Sequence, residues 1–130
     1  MSSNKEVKTY NAYLKKKGVG EARALPLHIR VARGFFSRAK GLLGCSSLPL
    51  DEALLLPQTT WVHTWGMRFS IDVVILNSDG WVKKVVDQLP PGTMTGAMVW
   101  GGQTLEMAAG RRRELGLEIG DLIYVDSTLS

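Results

Sequence analysis

The sequence predicts a protein of the α+β class: a compact, β-rich, barrel-like single domain of about five to seven short strands with two short helices. Three observations lead there. At 130 residues the chain has the size of one domain with one core. Its 14 glycines stand above the usual share of about 7%, while prolines number only 5, which indicates many tight turns. Apolar residues alternate with polar ones over short runs, the period of half-buried strands. With 45% apolar and 22% charged residues, the composition is that of an ordinary globular domain.

Taken in order, residues 1–24 are polar and lysine-rich, with Tyr10, Tyr13 and Leu14 as the larger apolar groups, and read as a basic, flexible N-terminal arm. The domain itself is assigned to residues 25–130. Leu27, Ile29 and Val31 alternate with His28, Arg30 and Ala32, which predicts a strand. Ser37 followed by Arg38-Ala39-Lys40-Gly41-Leu42-Leu43-Gly44 predicts a two-turn helix, with Ser37 as cap and Gly44 in the left-handed closing position. Residues 53–56, bounded by Pro49 and Pro57, form a short strand. Residues 60–68 form another, with Trp61, His63, Trp65 and Met67 on one face.

Residues 71–76 are apolar at both parities except at Asp72, as in a central strand covered on both faces. Asn77-Ser78-Asp79-Gly80 turns the chain into a partner strand over residues 81–86. Pro90-Pro91-Gly92 opens a loop carrying Met94, Met98 and Trp100 as far as Gly101-Gly102, either a packed cover or a lid. A strand over residues 104–108, a helical turn over 111–115 closed by Gly116, and a last strand over 122–125 complete the chain.

Charge and cysteine content narrow the function classes. Residues 1–40 hold ten basic groups and two acids, a sum of +8, so the remainder sums to −4. A basic arm can seek phosphate, but this one lacks the dense arginine and interleaved aromatics of a nucleic-acid groove, so nucleic acid is a disfavoured partner. No apolar run approaches the ~20 residues of a membrane-spanning helix. Residues 1–17 lack an apolar signal core, so a cytoplasmic location is expected. Cys45 is the sole cysteine, which excludes an intrachain disulfide and any CxxC site.

The candidate site residues are Trp61, His63, Trp65, Met67, Asp72 and Glu106. Asp72 and Glu106 each stand inside an apolar strand, where a carboxylate needs partners to remain charged. The bland reading has Asp72 pin the 67–70 turn and Glu106 pair with Arg111 or Arg113. The sharper one lets the two converge as an acid and base pair. His63 and Met67 would suit a soft metal, but four residues of strand separate them by about 13 Å, so no metal is predicted. Cys45 with His63 and Asp72 is a weaker triad, and no phosphate loop or other cofactor motif is present.

Three motifs in order resemble those of domain-of-unknown-function family 192. They are Arg38-Ala39-Lys40-Gly41-Leu42-Leu43; His63-Thr64-Trp65-Gly66-Met67-Arg68-Phe69-Ser70-Ile71-Asp72-Val73-Val74 followed by Asp79-Gly80; and Leu105-Glu106 with Gly110 and Gly120-Asp121. The resemblance spans residues 27–125 and departs from the family pattern at Leu43, Cys45 and Ser70. It implies a small β-rich domain and no established reaction. Function is therefore unknown at this level. The expectation is a small non-catalytic binding or accessory module, its pocket walled by Trp61, His63, Trp65, Met67 and Trp100 and floored by Asp72 and Glu106. The alternative is a hydrolase-like enzyme using His63 with Asp72 or Glu106. The expected partner is a small ligand or a protein, with no cofactor.

Overall fold

Alternating burial along short runs builds nine strands in the computed structural model, which describes residues 9–32 and 47–129. They are β1 (Tyr10–Lys15), β2 (Ala22–Val31), β3 (Glu52–Leu56), β4 (Trp61–His63), β5 (Ile71–Leu76), β6 (Val82–Leu89), β7 (Met94–Gly96), β8 (Gln103–Ala108) and β9 (Leu122–Leu129). One helix, α1 (Arg111–Leu115), lies between β8 and β9. The expected helix at residues 37–44, and Cys45 with it, fall outside the described residues.

Seven strands form one mixed sheet in the order β6-β5-β8-β3-β2-β1-β9, and β4 with β7 forms a second, two-stranded sheet. β2 and β3 run parallel, with His28 to Val31 opposite Glu52 to Leu55. All six residues of β5 are buried, as its apolar pattern, interrupted at Asp72, predicts. Val74 and Leu76 join a core with Leu14, Ile29, Leu55, Leu105, Met107 and Ile123 on one face. Ile71, Val73 and Ile75 join a second core with Leu54, Leu56, Val62 and Met67 on the other. The small sheet therefore covers one face, and α1, through Leu115, covers part of the opposite one.

The sheet curls until its edges meet at one end only. There Trp81 and Leu122 form a single bridge, Val82 N–H donates to the Asp121 carbonyl at 2.8 Å, and Ile123 N–H donates to the Gly80 carbonyl at 2.9 Å. Gly80 sits at φ +99°, and a Cβ there would overlap the Ile123 carbonyl oxygen, so only glycine permits the approach. β6 and β9 otherwise remain edges, so the expected barrel is not closed. Two of the described strands, β1 and β7, were not expected, because each is short and weakly patterned.

Strand β1 corrects the domain boundary. Residues 10–15 were expected in the arm, yet β1 lies inside the sheet, antiparallel to both β2 and β9. Only Ala12 and Leu14 of this strand are fully buried, a periodic signal too short to stand out from the surrounding polar residues. Its outer face carries Tyr13, stacked on Tyr124 at 5.3 Å. Its end is tied down by Lys16, whose Nζ donates to Asp121 Oδ2 at 2.6 Å, Glu118 Oε1 at 2.8 Å and the Gly116 carbonyl at 2.7 Å.

Two outcomes follow from a β1 that belongs to the core. Leu14→Ala should lower the unfolding free energy by about 2–5 kcal/mol in urea titration, the cost of a core cavity. A chain begun at residue 25 should lose the dispersed amide NMR spectrum of the full protein. A well-dispersed spectrum from that shortened chain would show that the sheet does not need β1.

Candidate functional site

The expected aromatic stripe over residues 60–68 breaks where the strand does. β4 stops at His63, Gly66 adopts φ +83°, and Met67 N–H donates back to the Thr64 carbonyl at 3.1 Å. This turn carries Met67 inward, into the core beside Val62, while Trp61 and Trp65 stay more than half exposed. The pivot is Thr64, fully buried: its Oγ1 donates to the Pro90 carbonyl at 2.6 Å and accepts from Thr93 N–H at 3.0 Å. A buried threonine between two tryptophans was not singled out in the sequence, and the nearby Pro90-Pro91-Gly92 turn is the signal that it had a partner.

The aromatic groups line an outward surface of the small sheet. Trp61 lies over Gly96, its register partner, and His63 faces Met94 across the pair. Trp65 stacks on the His63 ring at 4.5 Å and donates its backbone N–H to His63 Nδ1 at 3.3 Å. Beyond β7 the chain alternates: Ala97 and Val99 pack onto the core, while Met98 and Trp100 project with 93% and 98% of their surface exposed. The segment is anchored by Ala97 N–H to the Thr60 carbonyl at 3.1 Å, so it is a packed cover with two projecting side chains. Residues 57–67 and 90–103, which build this surface, contain no Asp, Glu, Lys or Arg in a chain that is 22% charged.

Asp72 is fully buried and holds different partners from those expected. Between the pairs Ile71–Leu89 and Val73–Val86, β6 carries one residue more than β5, a bulge at Asp87 and Gln88 that removes a ladder hydrogen bond. Asp72 Oδ1 accepts the Gln88 N–H at 2.8 Å. Its Oδ2 accepts the Arg112 N–H at 2.9 Å, in the first turn of a helix whose Gly110 cap has no side chain to offer. The Arg112 side chain then returns to the bulge, with Nε 2.8 Å from Asp87 Oδ1 and Nη2 2.5 Å from Oδ2. Asp72 therefore pins the bulge to the helix, not the 67–70 turn.

Glu106 is also fully buried, but it does not meet Asp72. β5 and β8 are neighbours with Asp72 opposite Met107 and Val73 opposite Glu106. Side chains alternate along a strand, so the register sends Asp72 to the Met107 face and Glu106 to the Val73 face. The two carboxylates lie on opposite sides of the sheet. Glu106 is partnered in its own right. His63 sits on the outward surface of the small sheet, which packs through Val62 on the face away from Asp72. Among the described residues, no three His, Cys, Asp or Glu side chains gather as a metal site.

With these features placed, the chain belongs to domain-of-unknown-function family 192 (DUF192), described as "uncharacterized ACR": residues 17–125 match the family. The motif resemblance is thereby borne out. Two solved structures share the fold. One is a protein from Sinorhizobium meliloti 1021 described as a "putative transcription regulator", with TM-score 0.75 and 18% identity, covering 90% of this chain and 93% of that one. The other is a protein of unknown function from Novosphingobium aromaticivorans DSM 12444, with TM-score 0.74 and 18% identity, covering 95% and 90%. Identity this low carries the fold alone. No curated protein matches the chain. No helix among the described residues is long and apolar enough to cross a membrane.

Hydrogen bonds from Arg112 hold the Asp87 carboxyl below its usual 3.8, against its partial burial. At Asp121, burial acts upward, but the bonds from Lys16 and from the Lys17 and Glu118 N–H groups outweigh it and the carboxyl is lowered. Carboxyls depressed on folding contribute stability that is complete above the unfolded value and lost as pH falls through the folded one. Unfolding free energy should therefore drop as pH is lowered below about 4, more shallowly in Asp87→Asn than in the parent. Asp72→Ala should cost about 3 kcal/mol at neutral pH by leaving two buried N–H donors without acceptors. Urea titration checks both, and an unchanged midpoint for Asp72→Ala would remove it as the pin.

Proposed function

We propose that the protein is a non-catalytic binding module that engages an uncharged, apolar segment of another protein. It does so through the outward surface of β4 and β7 and the cover that follows. The observation that carries this reading is the pairing of Trp61, Trp65, Met94, Met98 and Trp100, all exposed, with two surface segments free of charge. Exposed apolar clusters of this kind mark interaction sites. Tryptophan and methionine with few charges are the composition of the centre of a protein interface, where a few aromatic anchors carry most of the affinity. A nucleic-acid surface would need cations among the aromatics, and these two segments have no lysine or arginine.

The contacts of Asp72 do not favour the hydrolase reading. Asp72 spends both oxygens on backbone N–H groups, and the register separates it from Glu106. Proton transfer needs groups within hydrogen-bond reach of each other or of one water.

A displayed library of random peptides, selected on the full protein, tests the proposal. Enriched peptides should be apolar and uncharged, and should bind Trp61→Ser/Trp100→Ser at least about ten-fold more weakly, the loss of a buried aromatic anchor. Tryptophan fluorescence reads the affinity. Peptides that bind parent and variant equally would overturn the reading. So would a preference of the same surface for single-stranded DNA, a neutral oligosaccharide or phosphatidylcholine vesicles.

A further inference from the structure

We propose that the open end of the curled sheet is a binding site for a small organic cation with an apolar body. The two ends of the sheet differ. At the end where β5 begins, Asp72 holds α1 in place, and Arg23 on β2 donates to the Leu115 carbonyl at 2.9 Å, so the helix plugs the interior with Leu115 and Leu117. At the end where β5 finishes, no such plug is seen among the described residues. A cavity of about 370 Å³ opens there instead, between Leu55, Leu76, Ile123 and Val125. This volume is in the range of small-molecule sites, and the mouth of a curled sheet is one of their usual places.

The lining chemistry selects the ligand. The inward residues are aliphatic, with Tyr10 beside them, which suits an apolar or aromatic body. Asp79, in the turn between β5 and β6, is the one charged residue among the described residues of the lining, which include no Lys, Arg or His. The turn does not need that carboxylate, because Asn77 Oδ1 accepts both the Asp79 N–H at 3.0 Å and the Trp81 N–H at 2.9 Å. The Gln103 amide nitrogen, at the same rim, is committed to the Asn77 carbonyl at 3.2 Å. Among the described residues, the lining thus brings an acid, Asp79, and two tyrosines, Tyr10 and Tyr124, to the cavity, and a carboxylate and an aromatic ring both attract an ammonium group. The Asp79 carboxylate would repel a carboxylate or phosphate ligand.

The probes are phenethylammonium, its neutral isostere phenethyl alcohol, and the anion hydrocinnamate, each titrated into the full chain and followed by amide NMR. Phenethylammonium should shift Gly80, Gln103, Ile123 and Val125 saturably, the alcohol roughly five-fold more weakly, as befits one partly exposed charge pair. Hydrocinnamate should leave them in place. Asp79→Asn, a change in an exposed turn, should bring the cation down to the affinity of the alcohol. Absence of saturable shifts at these amides, equal binding of the three probes, or a cation preference that survives Asp79→Asn would each overturn the proposal. Trp100→Ser should leave the titration unaltered. Loss of binding in that variant would assign the probe to the aromatic surface and sink this site while leaving the binding module standing.

Discussion

The architecture depends on one buried carboxylate. Asp72 stands in a strand with both faces covered, where an ionised side chain without partners is untenable. Its two oxygens take the two backbone N–H groups that the fold itself leaves over, one from the bulge in β6 and one from the uncapped first turn of α1. A charge that would be costly alone becomes the joint between the sheet and its plug. Arg112 completes the joint by clasping Asp87, the other residue of the bulge, so strand, bulge and helix are held by a single cycle of contacts. A second carboxylate does similar work elsewhere: Asp121 accepts from Lys16, Lys17 and Glu118 and ties β1 to the turn that precedes β9.

Because these carboxylates hold the fold, the two proposed binding surfaces are of other kinds. One is the outward side of β4 and β7, aromatic and built from segments without charged residues. The other is the mouth of the curled sheet, aliphatic with one acid at the rim. The side chains that characterise them differ, and they would attract different partners. The single wall expected from Trp61, His63, Trp65 and Met67 is broken, because Gly66 turns Met67 into the core and leaves Trp61 and Trp65 facing solvent. Glycine thus decides the character of the surface, as it does at Gly80, where the two edges of the sheet come together.

Much of the scaffold was legible. β5 and its turn into β6, the closure of α1 by Gly116, and β8 all sit where periodicity and turn residues put them, because each carries a full local signal. Asp72 and Glu106 were also marked as unusual, since a single acid in an apolar run is visible at once. Their relation was not, because a shift of one residue in the β5–β8 register moves a side chain to the opposite face and no local pattern records that shift. The arm was misjudged for a related reason. Two buried residues make too short a pattern, and β1 is a strand because β2 and β9 supply its hydrogen bonds on both sides.

The sequence by itself determined the family, the β-rich class, the central strand and the shortlist of residues that do not fit their surroundings. Those features rest on local periodicity, on glycine and proline chemistry, and on the cost of burying charge. Tertiary structure alone decided which face each residue occupies, which donors satisfy Asp72, and that Met67 turns away from Trp61 and Trp65. Such features depend on register, curl and bulges, which arise only when strands distant in the chain compete for the same hydrogen bonds.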